Sequence, residues 1–394
     1  MLHTSLLRAA VLLPLLTMMA LLAVTPARAA ASAGTPADAA AAYLRARAAA
    51  AVPGAPAAAV LDLVAPGSQQ GERELLIAKG MRRSQAGLGH TITGVECRVT
   101  VTDIALDTTG TTATVAARAL TTVTWSDAKG RSDTEGSATE HTLVLVLRDG
   151  RWLVQSDDYA DDLTPRYLEA AGAPATRVAA AAAQLERRSS QRSVTLQPAL
   201  VETQQNALSA VGSATRSIAG STGSRLGYRD VIYFDRDKAK AYADAYALTY
   251  NPTYVAFSAD CANFGSQTMF AGGYPKVTGS STTGWWYQKN GTSSPSDDSW
   301  SSSWVNCVAQ TGFWSGRYTD AATSISNVGK GDFIYYDWTG DGRWDHVAEL
   351  VGTNASGQKV IDAHTTDHYH VYWKLGTSST RYRFAHTRPY IYIY

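Results

Sequence analysis

Apolar and polar positions alternate over long stretches between residues 90 and 156. His90–Ala105, Thr111–Trp125, His141–Arg148 and Trp152–Ser156 each carry the period of two that marks a half-buried strand. Asp149-Gly150 between the last two is a hairpin signal. Two helical stretches precede them. Asp38 to Ala50 is Ala-rich with Leu44, Arg45 and Arg47, and Asp38 is its expected cap. Gly71 to Ser84 is the second. Helices followed by an antiparallel meander predict an α+β domain over 38–170, a cystatin-like or NTF2-like roll. It contains no pairing of nucleophile and base.

The pattern then changes twice. Residues 171–227 are rich in Ala, Ser, Gln and Thr, which predicts a linker with one Ala-rich helix around Arg177–Arg188. From 228 to 394 aromatics accumulate, and eight of the ten Trp lie between Trp285 and Trp373. These supply core mass in a domain poor in Leu and Ile, or stacking surfaces for sugar or peptide.

At the other end, Arg8, the apolar run Ala9–Val24 and the small-x-small triplet Ala27-Arg28-Ala29 have the form of a secretory leader over residues 1–29. The run is short for a bilayer span. The expectation is a secreted, extracellular protein with no membrane attachment after cleavage. A net charge of +1 over 394 residues, with no basic run, offers no footprint for nucleic acid. Three cysteines cannot staple a disulfide scaffold.

One cysteine has chemical meaning. Asp235–Leu248 is helical, Asn251-Pro252 breaks it, and Cys261–Phe270 resumes helical spacing until Gly272-Gly273. Cys261 thus falls in the first turn of a helix behind Asp260. A helix N-terminus favours thiolate over thiol, and its free N–H groups can receive an oxyanion. Farther on, Gly331-Asp332 opens a strand, a Gly/Asp turn follows, and His346 opens the next. A return strand over Lys359–His364 sets His364 opposite His346 if the turn centres on Ala355. A slip of one substitutes Thr365. Such a pair would be a base and the group that orients it.

These residues resemble a known family. YFDRDKAKAYADAYAL, NPTY, DCANFGSQTMFAGGYP, SSSWVNC, GDFIYYDW, WDHVAELVG and AHTTDH, in that order over about 228–388, are similar to the putative amidase domain of secreted bacterial proteins. That family is grouped with the NlpC/P60 and CHAP papain-like superfamily. The resemblance implies a papain-like α+β fold, Cys261 as nucleophile, His346 as base and His364 as third member. It implies amide hydrolysis with no cofactor or metal. Cell-wall peptidoglycan peptide is the expected substrate and partner. Where such domains often carry Val or Ile, this chain has Gly265 and Glu349. Gly265 should loosen its helix, and Glu349 should face solvent.

Asp260 is expected to cap the helix or contact substrate. Asn263 and Gln267 are expected to support the site or pack beneath it. A Cys97–Cys307 bridge would staple the two domains. Asp337, Asp341 and Asp345 suggest either a calcium loop or a tight Gly/Asp turn that positions His346. His368 and His370 share a strand face and could bind zinc, but no carboxylate sits at a matching spacing. The alternatives to an amidase are therefore a non-catalytic module that binds cell wall or glycan, and a zinc-dependent endopeptidase.

Overall fold

The computed structural model describes residues 34–190, 230–290 and 297–393. The leader expected over residues 1–29 and the linker expected beyond Ser190 lie outside the described residues. The chain is a mixed α+β protein built on a mostly antiparallel sheet.

Helices α1 (Pro36–Ala49) and α2 (Gln70–Gly87) pack on a meander of β1 (His90–Leu106), β2 (Thr112–Asp127), β3 (Ser132–Arg148) and β4 (Arg151–Asp158). The cap of α1 is Thr35, not Asp38. Asp38 stands three residues inside and returns the bond to the Thr35 backbone, closing a capping box. The hairpin expected at Asp149-Gly150 forms. Both residues have positive φ, 48° and 72°, as a tight turn matched to strand twist requires. Then follow α3 (Thr164–Ala171) and α4 (Ala175–Ser190). The Ala-rich helix of the expected linker is α4. Its Ala181 and Leu185 are buried in a core shared with later strands.

The second block begins with β5 (Asp230–Tyr233), α5 (Arg236–Tyr246) and α6 (Cys261–Ala271). The short strands β6 (Tyr287–Gln288) and β7 (Ser299–Trp300) precede α7 (Cys307–Trp314) and β8 (Thr319–Ala322). Strands β9 (Asp332–Asp337), β10 (His346–Thr353), β11 (Lys359–Ala363), β12 (Asp367–Tyr372), β13 (Arg381–Thr387) and β14 (Tyr390–Ile393) complete it. The aromatics are chiefly packing: Trp285, Trp304 and Trp314 are buried together with Tyr274, Tyr318 and Phe333. Among the described residues no helix is long and apolar enough to cross a membrane.

The two blocks share one sheet. Its order is β1-β2-β3-β12-β11-β10-β9-β13-β8, with β4 on the other part of β3. Strand β3 is long enough to divide its free edge. Thr142–Arg148 bonds β4, and Gly136–Ala138 bonds Asp367–Tyr369 of β12. Gly136 has a packing reason here. An added Cβ would stand 3.0 Å from Leu248 Cδ1 and 3.6 Å from Tyr369 Cβ. A common core beneath the join combines Ile77, Leu163, Tyr167 and Leu168 with Ile334, Leu350, Ile361 and Leu375.

Ion pairs reinforce the join. Arg118 of β2 donates to Glu140, to the Leu248 carbonyl and to Asp367 of β12, which is 2% exposed. Removing the guanidinium strands a buried carboxylate, which costs several kcal/mol. Arg118→Met should therefore lower stability by about 3 kcal/mol in chemical denaturation. Nearby, Glu135 of β3 accepts from Gln85 and is pushed up to about 7 by burial. Its folded value lies above its unfolded one. Its contribution to stability is thus full below about pH 4.5 and lost as pH rises through 7. Glu135→Gln should flatten the fall in melting temperature between pH 4.5 and 7.5.

Candidate active site

Cys261 opens α6, as the sequence predicts. Nine consecutive residues from Cys261 to Met269 are buried, so this is a core helix. Gly265 does not break it. A Cβ there would meet Val347, Gln310 and Phe333 at 3.6–3.7 Å, ordinary contact distances, so α6 packs on β9, β10 and α7 with room for a methyl group.

The helix start is held from across the site. Thr365, in a left-handed conformation with φ 91°, accepts the backbone N–H groups of both Asp260 (3.0 Å) and Cys261 (3.1 Å) through its hydroxyl. Asp260 occupies the N-cap position but makes no side-chain cap. Its Oδ1 accepts from the Phe257 N–H and from Asn263. Its Oδ2 is bonded to His364 Nδ1 at 2.7 Å. The expected capping role therefore fails, because the carboxylate turns inward to His364.

His364, the expected third member, has its ring nitrogens engaged by Asp260 and the Tyr246 carbonyl. The β10–β11 register pairs Glu349 with Asp362 and Leu350 with Ile361, one step from the turn centred on Ala355. Extending it places Thr365, not His364, opposite His346. The His364 ring instead stacks on Phe264 at 4.0 Å, and its Nε2 donates to the Tyr246 carbonyl. Burial pushes its pKa down, but Asp260 and Asp367 more than offset this and raise it. His364 and Asp260 form a buried pair behind the helix.

His346 lies at the mouth of β10, 2% exposed, with its ring 5.5 Å from those of Trp338 and Tyr336. Its Nε2 stands 3.7 Å from Asp162 Oδ2 and has no hydrogen-bond partner. Asp162 comes from the first block, between β4 and α3, and its Oδ1 bonds His368 Nε2. Burial pushes its pKa up, yet His368 and His346 bring it below the ordinary carboxylate value. Sequence reasoning missed Asp162. It sits in a DDYADD run far upstream, and only the β3–β12 join brings it here.

Sequence reasoning also gave Cys307 no place at the site. It opens α7, and its sulfur lies 3.5 Å from that of Cys261. Cys97 is on β1, with the Thr121 hydroxyl 3.7 Å from its sulfur, so a Cys97–Cys307 bridge does not form. The Cys261 and Cys307 sulfurs share a hydrogen bond. That bond, opposed by burial and aided by His346 and Thr365, holds the Cys261 thiol well below its usual range. Cys307 is raised by the same contact.

The remaining expectations resolve locally. Asn263 joins the Val255 carbonyl and Asp260 to the Trp304 indole, and Gln267 accepts from Tyr242. Both are buried supports. The Asp337 carboxylate accepts the N–H groups of Gly340, Asp341 and Gly342, and Asp345 accepts that of Trp338. Those oxygens build a tight turn leading into His346. Glu349 is 1% exposed, against the expectation that it faces solvent, because α5 and α6 cover its side of the sheet.

With this geometry in view, the comparisons say what the second block is similar to. Residues 233–387 match the model of the family described as "Putative amidase domain". This domain also resembles the Bacillus subtilis (strain 168) protein named "Uncharacterized protein YhbB". The two are 32% identical over 172 residues, which cover 41% of this chain and 53% of that protein. The chain thus spans about half the length of the curated relative it matches. A solved structure of the intermembrane space region of chloroplast protein ARC6 aligns with 31% of this chain and 91% of its own. At 13% identity and a TM-score of 0.24 it carries no argument.

His364 and His346 differ in what their loss should do. His364→Ala leaves Asp260 buried and unpaired, so stability should fall by about 3 kcal/mol in urea denaturation. His364→Gln, which can still donate to Asp260, should recover much of that loss.

Proposed function

We propose that the protein is a secreted cysteine amidase that hydrolyses an amide bond in cell-wall peptide. The observation that carries this reading is the line Cys261, His346, Asp162. A thiol at a helix start has its pKa driven down, an imidazole lies within its reach, and a buried carboxylate stands behind the imidazole. This order of nucleophile, base and orienting group is the one acyl transfer needs, and it fits a papain-like arrangement of the amidase domain.

In the proposed reaction the Cys261 thiolate attacks the carbonyl carbon, and the carbonyl electron pair moves to oxygen. The N–H groups at the start of α6 receive that oxyanion once the Thr365 hydroxyl yields the Cys261 N–H. The His346 imidazolium gives its proton to the leaving amine as the C–N bond breaks, leaving a thioester. Neutral His346 then takes a proton from water, which attacks the thioester. The acid departs and the thiolate–imidazolium pair returns. Asp162 stabilises the imidazolium and fixes the ring.

Peptidoglycan peptide is the substrate proposed, on the leader-like first 29 residues and the family resemblance. One observation favours a second reading. Cys261 is only 4% exposed, so a substrate must open the site to reach it. Tyr390 and Tyr392 are 42% and 49% exposed and line a groove with Phe313, Tyr318 and Arg388. A wall-binding module would use that groove and leave Cys261 idle.

Digestion of purified peptidoglycan, read as newly released amino groups, separates the two. The amidase reading expects release by the native protein and a loss of at least about a thousandfold in Cys261→Ala and His346→Ala. Binding without release, unchanged in Cys261→Ala, would establish the module instead.

A further inference from the structure

Asp244 on α5 and three ionisable side chains beneath that helix take no part in the proposed amide chemistry. Glu349 of β10 and Asp362 of β11 stand opposite each other in the ladder. That places their Cβ atoms about 5 Å apart on one face. They are 1% and 0% exposed. Both Glu349 carboxylate oxygens and Asp362 Oδ2 lack a hydrogen-bond partner. Uncompensated buried carboxylates are expensive, so such a pair is expected either to hold protons or to face a cation.

His370 of β12 stands next to them. Its backbone N–H donates to Asp362 Oδ1 at 2.7 Å. Its φ of 54° is a left-handed conformation that L-residues adopt at a cost. That conformation leaves the ring against α5, where Nε2 lies 3.0 Å from Asp244 Oδ1. One ligand atom from each of Asp244, Asp362 and His370 lies within 4.8 Å of the others. Ligands at about 2.1 Å from a common ion stand up to about 4.2 Å apart, so small side-chain movements would close the set. The nearby ammonium, Lys240, is engaged with Asp244 Oδ2 on the solvent side.

We propose that Asp244, Asp362 and His370 bind a divalent cation, with Glu349 contributing charge from the adjacent strand. One imidazole among carboxylates suits Zn²⁺ or Mn²⁺ better than Ca²⁺, which prefers oxygen alone. The dication and Lys240 together neutralise the three carboxylates. The sequence suggested zinc at His370 but offered no carboxylate, since Asp244 and Asp362 reach it from a helix and another strand. The site is structural. It clips α5 to β11 and β12, and α5 carries Tyr242 on Gln267 and the Tyr246 carbonyl on His364. The ion would thereby steady the scaffold under the cysteine helix.

The test is metal retention by the full chain after chelator treatment, reloading with Zn²⁺ or Mn²⁺ alone and desalting. Elemental analysis and thermal melting are the readouts, so activity is not needed. The expected result is one ion per chain and a raised melting temperature at pH 7.5. Both should be lost in Asp362→Asn and His370→Gln and kept in His368→Gln. The melting temperature of each metal-free variant, compared with that of the metal-free native chain, shows that it folds. No retained ion, or retention lost in His368→Gln but kept in Asp362→Asn, overturns the proposal. A metal-free Glu349→Gln/Asp362→Asn variant as stable as the metal-free native chain at pH 5 and more stable at pH 7.5, with no ion bound by the native chain, would identify a protonated acid pair instead.

Discussion

The division of β3 between β4 and β12 is the constraint on which the rest depends. The Thr142–Arg148 part of that strand closes the meander on β4, and Gly136–Ala138 continues the sheet into the second block. Backbone pairing alone would hold the junction loosely. The apolar layer of Ile77, Leu163 and Tyr167 against Ile334, Leu350 and Ile361 adds burial on one face, and Arg118 adds a buried ion pair at the seam. The consequence is chemical as well as mechanical. The chain emerging from β4 passes the mouth of β10 and delivers Asp162 to His346.

Around that carboxylate the site is arranged by opposition between burial and partners. Burial alone would keep Cys261 as a neutral thiol and Asp162 as an acid. Each instead faces groups that favour its charged form: Cys307 and His346 for the thiol, His368 and His346 for the carboxylate. Behind the helix, Asp260 and His364 repeat the device for a structural end, holding the chain before Cys261 against β11 and α5.

Much of this was legible because it is local. The Asp149-Gly150 hairpin, the helix start at Cys261 and the strand opening at His346 follow from turn chemistry and periodicity within a dozen residues. What was not legible depends on pairing between distant segments. The part of β3 that bonds β12, Gly136-Ser137-Ala138, is small and polar and lies ahead of the alternating stretch that begins at His141, so that bond left no pattern. A one-step shift in the β10–β11 turn put Thr365 rather than His364 opposite His346, and no propensity distinguishes the two. Glu349 had the parity expected of it. That face is buried because α5 and α6 lie on it, which alternation within one strand cannot reveal.

The central claim is that a carboxylate from the first block tunes the thiol of the second. The direct measurement is the pH dependence of iodoacetamide alkylation, read peptide by peptide at Cys97, Cys261 and Cys307 in native protein and in Asp162→Asn. The account expects Cys261 to label selectively below pH 7 in the native protein, and the midpoint to rise by about one unit in Asp162→Asn. An identical profile in both proteins, or labelling of Cys261 only near the ordinary thiol pKa of about 8.5, would contradict it.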